Sequence, residues 1–195
     1  MGHKQQSFEK TFGKFRYNHG GILRQKRRGR GARPLSTKNA IHLVFKARRS
    51  RLRRGFRSPL GFHICQSVIR RYAKRFFVKI EQQAICADHI HLLVRFSRRS
   101  QGQYFLRVVA GQIAQQFENN GFKVTDTPKS LESGAKSAEG LWKLRPFSRV
   151  VLGRRAFVTA LAYVRLNRKE AEGKIAYRPT RLRGMSSGEW KILWS

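Results

Sequence analysis

One stretch decides how this chain folds: residues 87–96 read ADHIHLLVRF. Its second half is an apolar run of strand-forming residues, which favours a buried strand. Side chains of a strand alternate between its two faces, so His89 and His91 point the same way while Ile90 points to the opposite face. Two imidazoles on one face of a strand are a ready pair of metal ligands. The stretch therefore predicts a central strand, whose histidine pair is either a metal site or an ordinary polar face until other features support one of the two.

Regular structure is predicted on both sides of this strand. Apolar spacing indicates further strands at 41–47, 77–86 and 149–152 and helices at 62–76, 104–117 and 154–172. The order strand, helix, strand, strand, helix, strand, helix predicts an α+β fold, a ferredoxin-like split β-α-β sandwich with an antiparallel sheet. The first and third strands of that fold are central neighbours. His42 should therefore lie near His89 and His91 if their faces agree.

The chain is extremely basic. Lys and Arg number 43 against 10 Asp and Glu, which gives a formal net charge of +33 and a pI of about 11.8. Such a charge repels itself in a compact fold unless polyanions normally lie against it. Nucleic acid is the usual polyanion, because basic side chains displace the counterions of its phosphates. The composition therefore predicts a nucleic-acid partner.

Composition along the chain predicts three parts. Residues 1–37 form a basic, flexible extension, whose run KRRGRGARP at 26–34 suits contact with phosphates. Residues 38–173 form the main domain, with a mobile Gly/Ser-rich loop at about 121–140, and regular structure is expected to begin near Asn39. Residues 174–195 form a tail with no predicted docking place.

Several classes of protein are disfavoured. No run of about 18 apolar residues is present to span a bilayer, and the N-terminus lacks the apolar segment of a signal peptide. Cys65 and Cys86 form no C-x-x-C pair and are expected to pack as small reduced hydrophobes. No phosphate-binding G-x-x-x-x-G-K-[ST] loop is present. We therefore expect a cytoplasmic, nucleoid-associated protein with no membrane partner and no nucleotide cofactor.

The helix predicted at 154–172 carries a second chemical feature. Tyr163 and Asn167 are four residues apart, so they lie one above the other on one helix face. Tyr163 could simply cover the sheet edge, and Asn167 could simply face solvent. A phenol ordinarily has a pKa of about 10, so a nucleophilic tyrosine needs a nearby positive charge or base near neutral pH.

Three motifs in order carry a resemblance to a known family. They are the D-H-I-H-L-L strand at 88–93, the W-x-x-R-x-F-x-R-V segment at 142–150 and the Y-V-x-x-N helix at 163–167. Together they resemble the single-tyrosine HUH transposases, which comprise small insertion-sequence transposases and REP-associated tyrosine transposases. The resemblance extends from about Ser36 to Gly173. Two departures are Cys86-Ala87 where the family often has Met-Pro, and Arg168 where it often has Pro.

The resemblance implies a reaction and roles for individual residues. His89 and His91 would bind a divalent ion, Mg²⁺ or Mn²⁺, and Asn167 would complete its ligand set. Tyr163 on the C-terminal helix would cut single-stranded DNA beside a hairpin, forming a 5′-phosphotyrosine and freeing a 3′-OH. The chain would then be a prokaryotic transposase, acting as a monomer or a homodimer. Asp88 would lie at a turn beside the ligands rather than bind the metal.

Basic side chains on several segments are expected to bind DNA, and two other classes of function share some of these features. The expected DNA-binding residues are Arg27, Arg28, Arg30, Arg33, Arg53, Arg54, Arg145 and Arg149. A two-metal nuclease or integrase would need several converging carboxylates, and only Asp88 lies beside the histidine pair. A non-catalytic binder, either a ribosome-associated basic protein or a domesticated transposase, would carry the same charge. Charge therefore does not separate an enzyme from a binder, whereas the histidine pair with Tyr163 and Asn167 favours the enzyme.

Overall fold

The computed structural model describes residues 17–23, 32–123 and 140–195. Within these ranges one antiparallel sheet of five strands carries helices on both faces. The strands are β1 (Asn18–His19), β2 (Ile41–Lys46), β3 (Val78–Ile85), β4 (His89–Phe96) and β5 (Phe147–Val150). The helices are α1 (Pro59–Arg75), α2 (Arg99–Asn119), α3 (Gly153–Ala171) and α4 (Ser187–Trp194), with a 3₁₀ turn at Arg49–Arg51.

The strand order is β1-β5-β2-β4-β3, and every neighbouring pair is antiparallel. Without β1 this is the ferredoxin-like split β-α-β arrangement, so the predicted fold class is confirmed. The two central strands are β2 and β4, and their register places Val44 opposite His91 and Lys46 opposite His89. The histidine pair therefore lies at the centre of the sheet, as predicted.

The larger core lies on the face opposite the histidine pair. The odd-numbered positions of β2, such as Leu43, and the even-numbered positions of β4, such as Leu92, pack there against α1 and α2. Ser58 caps α1 by accepting a hydrogen bond from the Gly61 N–H. Helix α2 approaches the sheet very closely at Gly102, where an added Cβ would lie 2.4 Å from the Phe96 ring. That contact explains why a glycine stands inside the helix.

A smaller core lies on the other face, beneath α3. Val164 of α3 packs there with Ala84, Cys86 and Leu93 of the β3–β4 hairpin, and all four residues are buried. The same face carries His89 and His91. Helix α3 therefore determines which side chains meet the histidine pair.

The two ends of the described chain are more ordered than the sequence suggests. The strand Asn18–His19 pairs with β5, so regular structure begins well before Asn39. This pairing satisfies the outer edge of β5, which would otherwise expose unpaired backbone groups. At the other end Leu193 of α4 lies in one buried cluster with Ala162 and Leu166 of α3 and with Ile175 of the connecting segment. The tail therefore covers apolar residues of α3 that would otherwise be exposed.

Other expected boundaries shift by a few residues. The last sheet strand lies at Phe147–Val150 rather than 149–152, because its register with β2 pairs Val150 with Ile41 and Phe147 with Val44. Most of the loop expected at 121–140 lies outside the described residues. In the described part of the chain, no helix combines the length and apolarity that a membrane span requires.

Candidate active site

His89 is held in place by the residue that precedes it. Its Nδ1 lies 2.7 Å from Asp88 Oδ1, and Arg49 lies 3.5 Å from the other carboxylate oxygen. Burial tends to raise the pKa of Asp88, but the hydrogen bond from His89 and the nearby cations outweigh it and lower that pKa. An ionised Asp88 accepts a hydrogen bond from Nδ1–H, which leaves the Nε2 lone pair of His89 free to bind a metal.

His91 is held by a second histidine, on the neighbouring strand. Its Nδ1 lies 3.0 Å from Nε2 of His42, and the two rings stack with centroids 5.2 Å apart. Burial lowers the pKa of His42 to about 4, with a further contribution from Arg149. Burial also lowers the pKa of His91 well below its ordinary value, and the charges of His42, His89 and Arg181 add to the effect. Both rings are therefore neutral, and the predicted proximity of His42 is confirmed.

The hydrogen bond between these two neutral rings constrains their tautomers. If His42 donated from Nε2, then His91 would carry its proton on Nε2 and could not offer that atom to a metal. If His91 donates from Nδ1, then its Nε2 lone pair is free and His42 carries its proton on Nδ1. Metal binding therefore selects the second arrangement, and His42 orients His91 in the way that Asp88 orients His89.

Cys86 joins the histidine pair. The ligand atoms of Cys86, His89 and His91 all lie within 4.8 Å of one another. The reason is the tight turn between β3 and β4, closed by the Cys86 N–H donating to the His89 carbonyl at 2.9 Å, which turns both side chains to one face. Burial raises the pKa of the Cys86 thiol to about 11. The expectation of a small reduced hydrophobe therefore describes the packing of Cys86 but omits its position as a possible ligand.

Tyr163 contacts both buried histidines. The centroid of its half-buried ring lies 5.5 Å from that of His91 and 5.8 Å from that of His42, edge to face in both cases. The tyrosine of α3 and the histidine pair of β4 are 72 positions apart in sequence (163 − 91), and the packing of α3 on the sheet brings them together. The structure thus places the expected nucleophile beside an expected metal ligand.

Asn167 is buried one helical turn beyond Tyr163. Its side-chain Nδ2 donates to the Tyr163 carbonyl at 2.7 Å, and its own carbonyl lies 3.9 Å from the Cys86 sulfur. Because the amide nitrogen is bonded within the helix, the side-chain oxygen is the atom that Asn167 could offer to a metal. The expected role of Asn167 as a ligand therefore stays a prediction, with its location beside Cys86 established.

The donor set fits a divalent metal ion. Two imidazoles and a cysteine thiolate are ligands that divalent transition ions accept, whereas Mg²⁺ prefers oxygen atoms. His89, His91 and Cys86 would hold the ion, and the carboxylate of Asp88 is already bonded to His89. A carboxylate-held two-metal site does not form here, because in the described residues Asp88 is the only acid in contact with these histidines.

The structure also locates part of the expected DNA-binding set. Arg27, Arg28 and Arg30 lie outside the described residues. Arg53, Arg54 and Arg145 are exposed, and Arg149 lies opposite His42 in the sheet. Arg33 differs, because its Nη1 donates to the Pro146 carbonyl and to the Ser148 hydroxyl, each at 2.8 Å. Arg33 thus ties the N-terminal segment to β5, and its contact with DNA stays a prediction.

Arg181, in the C-terminal segment, was not expected in the site. Its guanidinium lies 5.2 Å from the Tyr163 ring centroid. The sequence does not place this contact, because the segment between α3 and α4 has no periodic pattern and the docking place of the tail was left open. The one available signal was the cluster of aromatic and apolar residues after Gly173, which a docked segment would bury.

Comparisons with known proteins bear on the fold of this chain and on its family. The IS200-like transposase family model matches residues 36–131. The structure of a REP-associated tyrosine transposase bound to a REP hairpin superposes with a TM-score of 0.53 at 11% sequence identity, covering 75% of this chain and 76% of that one. A protein of Deinococcus radiodurans R1, provisionally assigned as a transposase, is 15% identical and gives a TM-score of 0.40 over 77% of this chain and 99% of that chain. No curated protein matches the sequence significantly.

The two kinds of comparison support different statements. The structural likeness to the REP-associated transposase shows the fold alone, because the identity is low. The family match spans β2 to α2 and includes His42, Cys86, His89 and His91, and it ends before α3 and Tyr163. Residues 36–131 of this chain, just under half of its length, are therefore similar to the family of IS200-like transposases.

Proposed function

We propose that this chain is a metal-dependent endonuclease and strand transferase that acts on single-stranded DNA beside a hairpin, with Tyr163 as its nucleophile. The observation that carries the proposal is the contact between the Tyr163 ring and His91, whose neighbours His89 and Cys86 complete a set of possible metal ligands. The similarity of residues 36–131 to a transposase family supports the class of DNA-cleaving enzyme. The REP hairpin bound to the similar structure suggests the kind of DNA.

The reaction balances with the residues present. The Tyr163 hydroxyl loses its proton and its oxygen bonds to the scissile phosphorus, while the bond from phosphorus to the 3′ oxygen breaks. The 3′ oxygen takes up a proton and leaves as a 3′-OH, and the 5′ phosphate stays on Tyr163. A bound divalent ion would polarise the phosphate and make its phosphorus more electrophilic. Of the two expected ions, Mn²⁺ suits the nitrogen and sulfur donors of this site better than Mg²⁺ does. The phosphotyrosine retains the energy needed for rejoining.

The remaining residues would bind and position the DNA. The exposed arginines Arg53, Arg54 and Arg145, together with Arg27, Arg28 and Arg30 of the N-terminal segment, would contact phosphates. Arg149 and Arg33 would do so from the β5 edge. Asn167 would offer its amide oxygen to the ion. We propose 38–173 as the catalytic unit, with 1–37 as a DNA-binding arm and 174–195 as a segment that packs on α3.

The deciding experiment is a search for a covalent adduct. End-labelled single-stranded hairpin DNA is incubated with the full chain and Mn²⁺ or Mg²⁺, and protease-sensitive adducts are resolved by denaturing electrophoresis. Tyr163→Phe removes one oxygen, so we expect it to keep DNA affinity and to lose all adduct. Tyr104→Phe, at an exposed tyrosine of α2, is the matched control and should form adduct normally. A non-catalytic binder would bind the DNA without any adduct, and a nucleotide mapped to Tyr104 or Tyr177 would overturn the assignment of Tyr163.

A further inference from the structure

The guanidinium of Arg181 has one edge in use and one edge without partners. Its Nη1 bonds to both oxygens of Glu170, at 3.2 and 3.1 Å, and to the Arg178 carbonyl at 3.2 Å. Its Nε and Nη2 atoms are buried and have no hydrogen-bond partner among the described residues. Buried donors are normally bonded, so two on one side chain require an explanation.

The two atoms without partners form a single chemical unit. Nε–H and the adjacent Nη2–H lie on the same side of the planar guanidinium and point in nearly parallel directions. This is the fork with which arginine binds two oxygens of a carboxylate or a phosphate. In the described part of the chain no carboxylate meets this edge, because Glu170 lies on Nη1. The free edge therefore suits an external oxyanion.

The surroundings of Arg181 place this edge in the candidate active site. Its guanidinium lies 5.2 Å from the Tyr163 ring, and its charge adds to the burial that lowers the pKa of His91. Its backbone has a φ of 58°, in the left-handed region that a residue with a side chain adopts at a cost of about 1 kcal/mol or more. The chain therefore holds Arg181 against Tyr163 at the expense of local strain.

We propose that Arg181 is a catalytic residue that binds the scissile phosphate, with Nε and Nη2 each donating to a non-bridging oxygen of the phosphate that Tyr163 attacks. This inference rests on the proposed function. The two donors are shielded from solvent in the free protein, so the DNA must displace a covering side chain. Tyr177 is the neighbour with most freedom to move, because it is 75% exposed and its ring lies 5.6 Å from the guanidinium.

The proposal explains why the C-terminal segment packs where it does. Arg178 donates to Glu189 of α4 and to the carbonyls of Arg181 and Arg183, so the loop is held from the α4 side. Glu170 of α3 holds the used edge of Arg181. The loop is thereby clamped between α3 and α4, and a rigidly placed cation stabilises developing phosphate charge better than a mobile one.

The test uses full-length variants in single-turnover cleavage of hairpin DNA. For Arg181→Gln we expect adduct formation to slow by roughly 10²- to 10³-fold, as for loss of one donor to a developing oxyanion, while the Kd for DNA changes by less than about threefold, because the net charge of +33 dominates binding. Arg181→Lys should recover only part of the rate, because it restores charge without the fork. Arg183→Gln removes one charge from an exposed neighbour and should react like the wild type.

Two further measurements separate phosphate binding from a purely structural role. Glu170→Gln weakens the contact on the used edge and should slow the reaction less than Arg181→Gln. A neutral methylphosphonate at the scissile position should slow the wild type and have much less further effect on Arg181→Gln, because the two changes remove the same interaction. Equal slowing in both proteins, or an Arg181→Gln rate within twofold of Arg183→Gln, would overturn the inference and leave Tyr163 as nucleophile. A wild-type chain that binds DNA but forms no adduct would overturn the proposed function and this inference with it.

Discussion

Each histidine of the β4 pair is oriented by a different kind of partner. Asp88 is an ionised carboxylate beside the partly exposed His89, whereas His42 is a neutral imidazole beside the buried His91. An ionised carboxylate can only accept hydrogen bonds, so Asp88 selects the tautomer of His89 that carries its proton on Nδ1. A neutral imidazole can either donate or accept, so the tautomer of His91 depends on what its other nitrogen binds. A bound metal ion and the His42–His91 hydrogen bond would therefore stabilise each other.

The first prediction concerns the stability of the metal-free protein at acidic pH. Above pH 6.5 His42 is neutral in both states and has no effect. Between 6.5 and about 4 the unfolded chain binds a proton that the folded chain excludes, so stability should fall by about 1.4 kcal/mol per pH unit from His42. His91 adds a slope of the same sign. The free energy of unfolding, measured with urea in the presence of EDTA, should depend less steeply on pH in His42→Asn. An unchanged slope would contradict a lowered pKa of His42 in the folded protein.

The second prediction concerns the ligands themselves. His89→Ala and His91→Ala should each abolish metal-dependent cleavage and leave DNA affinity nearly unchanged, because affinity depends on the Lys and Arg side chains, which neither change removes. His91→Ala should also cost about 1–3 kcal/mol of stability, since it empties a buried position and leaves half-buried His42 without its hydrogen bond. Titration with Co²⁺, read by visible absorbance, measures binding without relying on activity. Cleavage by both variants with Mn²⁺ or Mg²⁺ would show that the metal lies elsewhere.

At the scale of elements, the larger core and the candidate active site lie on opposite faces of the sheet. One face packs on α1 and α2 through the larger core, and the other carries the histidine pair beneath α3. The β3–β4 hairpin contributes to both, since Ile85 and Ile90 enter the larger core while Cys86 and His91 face α3. Substitutions beneath α1 and α2 should therefore change stability with little effect on the reaction.

The third prediction tests this separation on α2. Gly102→Ala would place a Cβ 2.4 Å from the Phe96 ring, and we expect this overpacking to cost about 1–3 kcal/mol. Gly111→Ala is the matched control on the same helix, with nothing within 4 Å of the added Cβ, and should stabilise the protein by about 0.5–1 kcal/mol. Thermal unfolding measures both, and the adduct yield per folded molecule should be unchanged. Equal stability of the two variants would show that α2 moves away without cost.

At the scale of the whole molecule, net charge dominates the affinity for DNA, and the fold determines where the bound strand lies. The net charge of +33 attracts any polyanion, but the reaction requires the scissile phosphate to reach Tyr163. Helix α1 carries exposed arginines on the outer side of the larger core, across the sheet from Tyr163. Arginines of α1 should therefore contribute less than those of the N-terminal segment to binding of a strand that reaches Tyr163.

The fourth prediction compares two sets of arginines of equal charge. Changing Arg27, Arg28 and Arg30 to Gln should lower the slope of log affinity against log salt by roughly 2, at about 0.7 per phosphate contact with single strands. Changing the exposed Arg70, Arg71 and Arg75 of α1 to Gln is the control and should lower the slope less. This design keeps β1 and the Arg33 contacts, which a deletion of residues 1–33 would remove. Equal slopes for both sets would show that the N-terminal segment makes no special DNA contact.

The sequence by itself determined the elements and the faces on which their side chains lie. The period of two placed His89 and His91 on one face, and the helical period placed Tyr163 one turn from Asn167. Even His42 could be expected nearby, because the order of strands and helices implied that β2 and β4 are neighbours.

Only the tertiary structure decided which of those faces meet and what else joins them. The turn after β3 brought Cys86 to the histidine pair, α3 laid Tyr163 against His91, and the docked tail added Arg181. Arg33, expected to bind DNA, was found bonded to β5. Local periodicity governs the direction of a side chain along its own element, whereas contacts between distant segments depend on how apolar faces pack. Packing of Val164 and Leu193 therefore decides the neighbours of Tyr163 and Arg181.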